Sequence, residues 1–328
     1  MEHGLETLLE YSKPYLGNSL VSIEQLGSIE TLCSGLPAIF HNCYLELRET
    51  EERVDFIAMA QKWNVQKFLN TTTTSAVEKS RILKAWTAQI HLPMVSYEYD
   101  MIVGQSVNPM LMWTLDDGYI THRKKATTKT DILDKIDRCF RLEQVTFDRN
   151  TITELNNFVT ALKVPIRLLH FVNLRQRGLE AFRIVIGCQV STCFEVLEIL
   201  NLDFSLLAFK KLLNILQKYP LGVSLQLTFP RLERRSFGIE VYFSNPQAFE
   251  QNKVRLVQFF TELEQAQLLS SHKTKALISW LGKTVITDEI TPYKLEILRD
   301  LTIKFVFHRD QPIEVKFYLG INATYKLF

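Results

Sequence analysis

Cysteine is scarce in this sequence. The five that occur, Cys33, Cys43, Cys139, Cys188 and Cys193, form no Cys-x-x-Cys pair. An odd number without paired spacing argues against a disulfide framework, and the scattered histidines form no His/Cys cluster or His-Glu-x-x-His motif, which argues against zinc. Glycine and proline are also few, 12 and 10 of 328 residues, so linkers and low-complexity segments have little room. No uncharged stretch approaches the roughly 20 residues that span a bilayer, and Met-Glu-His-Gly at the start lacks the basic and apolar segments of a leader. The expectation is a cytoplasmic chain with reduced thiols, away from membranes. An excess of one charge is missing too: 38 basic against 36 acidic residues leave +2, with no basic run longer than the triplet containing Lys124-Lys125, and otherwise only pairs such as Arg234-Arg235. Nucleic-acid binding is therefore not expected. Gly-x-Ser-x-Gly, Walker and Gly-x-Gly-x-x-Gly motifs are absent, which leaves serine hydrolysis, P-loop chemistry and Rossmann dinucleotide binding without support.

What is present is apolar and aromatic material, 46% hydrophobic with 21 Phe and 11 Tyr, ample for a large core. Ile132, Leu133, Ile136, Cys139 and Phe140 recur on one face of a helix. Thr151 with Glu154 reads as a capping box for a second helix carrying Leu155, Phe158, Val159 and Leu162. Paired helical patterns recur at Phe194–Leu200 with Leu206–Leu216, and at Pro246–Leu269 with Lys273–Leu281. Each pair precedes two segments that alternate with period two, the strand signature. In Leu301–His308, Leu301, Ile303, Phe305 and Phe307 share one face, while Thr302, Lys304 and His308 share the other. In Ile313–Gly320, Ile313, Val315, Phe317 and Leu319 oppose Glu314, Lys316, Tyr318 and Gly320. Val223–Phe229 with Ile239–Phe243 repeats the design, placing Ser224, Gln226, Thr228, Glu240 and Tyr242 on polar faces. Pro165–Val172 with Ala181–Gln189 is a further pair. Upstream come Met94–Met101 with Met110–Leu115, after a helical pattern in Val65–Ile90, and Phe40–Arg48 with Arg53–Met59, after helical pattern between Leu5 and Cys33.

Five helix-helix-strand-strand units thus account for residues 1–328 as a single domain of the α+β class. An open sheet would leave the polar strand faces in water, whereas a closed ten-strand antiparallel barrel surrounded by helices encloses them and removes both edges. The polar faces carry Arg183, Lys304, Lys316, Glu46, Glu98, Tyr242 and Tyr318 but few of the Lys/Glu runs of a solvated surface, which favours closure.

This order resembles the ABBA prenyltransferases, whose ten strands surround a solvent-filled lumen inside a ring of helices. Lys316-Phe317-Tyr318 on the last strand looks like the Lys-x-Tyr pairs lining that family's diphosphate site. Cys43-Tyr44-Leu45-Glu46 on the first strand resembles the position of the family's acidic residue, especially in the cyanobactin branch that modifies peptides. Ser96-Tyr97-Glu98-Tyr99 resembles the Glu-bearing strand of the fungal indole branch. Met110–Leu115 carries none of the basic residues that the family usually places on its second strand pair. The resemblance implies transfer of a dimethylallyl or geranyl group from its diphosphate to a peptide side chain or an aromatic acceptor.

Such chemistry needs cations for the departing diphosphate, aromatic rings beside an allylic cation and a carboxylate that takes a proton. Arg183, Lys304 and Lys316, with the hydroxyls of Tyr242 and Tyr318, are the candidates for the diphosphate. Glu46 and Glu98 are rival bases, although a strand glutamate is more often simply solvated or ion-paired. Arg48, His308 and Arg231 are candidates for the rim. Arg175 and Arg177, with Arg234 and Arg235, read more readily as solvated hairpin tips. Asp116-Asp117 invites Mg²⁺ bound with the diphosphate, but Asp-Asp-Gly is far more often a turn. No cofactor is therefore assigned. The competing reading is a barrel without enzymatic activity that binds a small amphipathic molecule or a peptide.

Overall fold

The computed structural model describes residues 4–36, 39–50, 52–61, 94–101, 109–115, 128–163, 166–200, 206–219, 222–230, 236–242, 249–287, 293–308 and 312–327. Among them eight helices occur: α1 (Leu5–Leu20), α2 (Ile23–Ser34), α3 (Lys129–Glu143), α4 (Arg149–Ala161), α5 (Val190–Ile199), α6 (Leu206–Leu216), α7 (Phe249–Gln265) and α8 (Ser271–Trp280). The strands are β1 (Phe40–Arg48), β2 (Val54–Gln61), β3 (Met94–Tyr99), β4 (Met110–Thr114), β5 (Arg167–Asn173), β6 (Phe182–Cys188), β7 (Gly222–Phe229), β8 (Ser236–Tyr242), β9 (Gly282–Thr287), β10 (Tyr293–His308) and β11 (Glu314–Leu327). The helical pattern in Val65–Ile90 lies outside the described residues.

All neighbouring strands are antiparallel. They run β1 through β8 in chain order, then β10 and β11, and β11 pairs back onto β1 from Asn42↔Asn322 to Arg48↔Lys316. The sheet therefore closes into a barrel of ten strands, without the free edges of an open sheet. The eleventh strand, β9, was not expected. It pairs only with the first half of β10, while β8 pairs with the second half.

Alternation sorts the side chains. Leu45, Phe56, Trp113, Phe171, Ile184, Leu225, Ile239, Phe305 and Phe317 are fully buried in the layer between barrel and helices. Phe209 of α6 packs edge-on against Phe237 of β8 and Phe307 of β10, with ring centroids 5.6 and 5.5 Å away. Trp113 Nε1 donates to Glu143 at 2.6 Å, pinning α3 to β4. At α4 the cap differs from the sequence reading. Asp148 is the N-cap, accepting from Thr151 N, so the helix begins three residues before the expected Thr151/Glu154 box. The Asp148 carboxylate also takes the Thr151 hydroxyl, which removes that hydroxyl from capping.

Candidate functional site

The opposite face of each strand points into the lumen, and register shows what shares it. The pairs Ile57↔Glu98, Met59↔Ser96, Ser96↔Met112, Glu98↔Met110 and Met112↔Val172 make the β2–β5 side an apolar, methionine-rich arc broken by Glu98 and Ser96. Continuing round, Arg183↔Thr228, Gln226↔Gly238, Lys304↔Glu240, Lys304↔Lys316, Thr302↔Tyr318 and Glu46↔Tyr318 make a polar arc on β6, β7, β8, β10, β11 and β1. The barren Met110–Thr114 strand is thus the apolar wall of the lumen.

A cavity of about 140 Å³ lies against the polar arc, lined by Glu46, Glu98, Arg177, Arg183, Gln226, Thr228, Ser236, Gly238, Lys304, Val306, His308, Glu314 and Lys316 among others. Five of the residues expected from sequence to carry the chemistry, Glu46, Glu98, Arg183, Lys304 and Lys316, converge on it. Tyr318 accepts from Lys304 Nζ at 3.4 Å. Tyr242 stands beside Glu240, donating to it at 2.7 Å. His308 lies at the wall with Nε2 3.4 Å from Glu314. Arg48, expected at the rim, is buried and does not line the cavity. Arg231, Arg234, Arg235, Asp116 and Asp117 lie outside the described residues.

Ion pairing divides the charges sharply. Lys316 Nζ sits 2.8 Å from Glu46 and 3.5 Å from Glu314. Arg48 reaches Asp55 at 2.9 Å and both Glu46 and Glu314 at 3.4 Å. Arg53 joins Asp55 and Asp100 at 2.8 and 3.1 Å. Arg177 reaches over from the β5–β6 hairpin to Glu98 at 2.7 Å and Asp100 at 2.5 Å. Burial by itself would raise the Glu46 carboxyl, but Lys316, Lys304 and Arg48 together hold it at about 2. The same opposition leaves the Arg177 guanidinium above its ordinary range, because Glu98 and Asp100 outweigh its burial.

Two cations stand outside this mesh. Lys304 is 4% exposed, its nearest polar contact is the Tyr318 hydroxyl, and among the described residues neither it nor Arg183 has an ion-pair partner. Burial, and then the neighbouring Arg183, push the Lys304 ammonium down to about 8. A buried cation beside another cation is costly unless an anion joins them, so this pair is where the site would accept one. Gly238 permits the arrangement, since a Cβ there would stand 2.9 Å from Lys304 Cε and 3.3 Å from Gln226 Cβ. If this pair accepts an anion, Gly238→Ala should weaken pyrophosphate binding several-fold by calorimetry while leaving the thermal midpoint within a few degrees, because the lysine end can swing aside; unchanged affinity would show that the Lys304 position is immaterial.

Among the described residues no group of three His, Cys, Asp or Glu could hold a metal. Glu46, Asp55, Glu98 and Asp100 are taken up by Arg48, Arg53, Arg177 and Lys316, and Asp116-Asp117, the pair that invited Mg²⁺, lies outside the described residues. No described helix is long and apolar enough to cross a membrane.

Sequence reasoning missed Arg177 and Asp55. Arg177 looked like a solvated tip because its partners lie 77 and 79 residues away. Asp55 carried one faint signal, a single charge in the apolar run Val-Asp-Phe-Ile-Ala-Met-Ala.

No protein-family model and no curated protein matches the chain. Solved structures do. The 5-dimethylallyltryptophan synthase from Streptomyces coelicolor aligns over 97% of this chain and 98% of its own, with a TM-score of 0.52 at 11% identity. PriB in its binary complex with product diphosphate aligns over 97% and 96%, with a TM-score of 0.50 at 10% identity. At such identities the likeness concerns architecture: over nearly its whole length, the chain has the barrel fold of the ABBA prenyltransferases.

Proposed function

We propose that this barrel transfers an isoprenyl group from an allylic diphosphate to a nucleophilic side chain, on an aromatic acceptor or on a peptide. One observation carries the reading: buried Lys304 and half-buried Arg183 have no carboxylate at ion-pair distance among the described residues, and both stand on the wall of a cavity in a fold that is shared with a protein crystallised with diphosphate. Leaving-group stabilisation by preorganised cations in a water-poor site is the largest contribution such a reaction needs. Lys304 and Arg183 would take the diphosphate charge. Tyr318, bonded to Lys304, and Lys316, on the same wall, would support them. The methionine-rich arc would hold the isoprenyl tail.

A second reading, a carrier that binds without transfer, draws on the mesh around Lys316, Arg48 and Arg177, which leaves the site with far fewer free cations than its composition suggests. One variant addresses both. Lys304→Met should weaken binding of a non-hydrolysable isoprenyl diphosphate analogue by about 1.5 to 3 kcal/mol, roughly 10- to 150-fold. Its stability should hold or rise, since no ion pair is broken. Wild-type binding should also fall as pH climbs through about 8, where Lys304 loses its proton. Calorimetric titration reads the affinity and its pH dependence, and urea unfolding reads the stability. A wild type that does not bind the analogue ends the proposal, and one that binds without any turnover leaves the carrier.

A further inference from the structure

The pairing that isolates two cations also isolates one carboxylate. Glu46, Asp55, Glu98, Asp100 and Glu314 all belong to the ion-paired mesh. Glu240, 9% exposed, does not. Its Oε2 is held by hydroxyls, Ser224 Oγ at 2.9 Å and Tyr242 OH at 2.7 Å, and those two hydroxyls lie 2.7 Å from each other. Its Oε1 takes no hydrogen bond from the described residues and is not among the fully shielded orphan atoms. Register sets Glu240 directly across from Lys304 on the neighbouring strand, so a group bound at Glu240 would lie beside the cation pair. The other charged and titratable groups around this region are Arg183, Lys316, Glu46, Glu98, Tyr318 and His170, the last kept neutral because burial pushes it down to about 4.

We infer that Glu240, oriented by Ser224 and Tyr242, is the proton acceptor of the transfer reaction and binds the acceptor's N–H or O–H through Oε1. The inference rests on the prenyl-transfer reading. In the step, the acceptor's nucleophilic atom forms a bond to the allylic C1. The C1–O bond to diphosphate breaks and its electron pair leaves with diphosphate towards Lys304 and Arg183. The proton lost by the acceptor goes to Glu240, which later yields it to solvent. A base must be free to take that proton. Glu46, held at about 2 by its lysines and Arg48, has little basicity left, and Glu98 is bonded to Arg177. Ser224 and Tyr242 act as positioning residues.

The test uses the full chain with dimethylallyl diphosphate and three acceptors: L-tryptophan, a tyrosine-containing peptide, and water, read as hydrolysis. Glu240→Gln keeps an oxygen for both hydroxyls but cannot take a proton. It should bind the non-hydrolysable analogue within about twofold of wild type, lose at least about a hundredfold in kcat, and lose the acid limb of the pH profile of kcat. Glu240→Asp should recover part of the rate, and Tyr242→Phe should lower kcat with little change in analogue affinity. Normal kcat and an unaltered pH profile in Glu240→Gln, with wild type active, would overturn the assignment while leaving prenyl transfer intact. Should wild type fail to bind the analogue, or turn over none of the three acceptors, both readings fall together. Were Glu240→Gln to unfold, Ser224→Ala and Tyr242→Phe with wild-type kcat would count against it.

Discussion

Lys316→Met should destabilise the protein by about 3 kcal/mol, the lower part of the range for breaking a buried ion pair by removing one partner. Glu46 is 3% exposed and Lys316 Nζ lies 2.8 Å from it. Removing the ammonium leaves Glu46 with the Arg48 contact at 3.4 Å and the more distant Lys304, which moderates the loss. The sign with pH follows from Glu46, whose folded value near 2 lies below the ordinary 4.5. Its stabilisation is complete above about 4.5 and is lost as pH falls towards 2. In Lys316→Met that value rises, so the gap from wild type should be full at pH 7 and shrink below about pH 4. Adding Glu46→Gln to Lys316→Met should restore part of the stability, because no uncompensated carboxylate remains. Urea unfolding of the four members of this cycle measures the coupling. A stable Lys316→Met with no coupling to Glu46 would return Lys316 to the pool of cations free for a ligand.

This expectation differs from what the sequence alone suggested, and the difference shows how far a sequence reaches. Alternation in Leu301–His308 and Ile313–Gly320 placed Lys304, Lys316 and Tyr318 on one face, and ten alternating segments made closure the economical solution. Face is a local property, fixed by parity along each strand. Partnership is not. Nothing near Lys316 in sequence announces Glu46, 270 residues away, and nothing near Arg177 announces Asp100. From the sequence, Lys304 and Lys316 looked alike, but Lys316 is paired and Lys304 is not. The same limit hid the first half of β10. Arg299 occupies an outward, apolar position there and interrupts the alternation. It is accommodated by bonding to Trp280 O at 3.0 Å and Thr284 Oγ1 at 2.7 Å, with its guanidinium 3.5 Å over the Tyr15 ring. Strand β9 stayed hidden because it has a single partner strand and half-exposed, polar-interrupted residues.

Asp300→Asn should stabilise the protein at pH 8 by about 2 to 4 kcal/mol while leaving it nearly unchanged at pH 4. Asp300 stands on the lumen face of β10, opposite Gly320. Asn322 Nδ2 donates to its Oδ2 at 2.8 Å, but Oδ1 is shielded from water and has no partner. A residue larger than glycine at 320 would collide with that oxygen, since a Cβ would come within 1.9 Å of it. Burial raises the carboxyl from 3.8 to about 7, against the smaller downward pull of Asn322. The folded state therefore keeps a proton that the unfolded chain gives up near 4. The stability this group contributes is fully present below about pH 4 and is lost as pH rises through 7. Three units at about 1.4 kcal/mol each set the ceiling near 4 kcal/mol; partial access of the side chain to water brings the expected figure below it. Asparagine has the shape of the protonated acid and retains an oxygen for Asn322, so it should reproduce the low-pH protein at every pH. His170 works in the opposite direction, because an imidazole kept neutral down to about 4 adds stability as pH rises from 4 to 6.5. The wild-type curve alone therefore mixes two slopes. Subtracting wild type from Asp300→Asn cancels the histidine, and urea unfolding at pH 4, 6 and 8 should give a difference that grows from near zero. A difference that does not vary with pH would mean that Asp300 is ionised in the folded barrel and has found a partner for Oδ1.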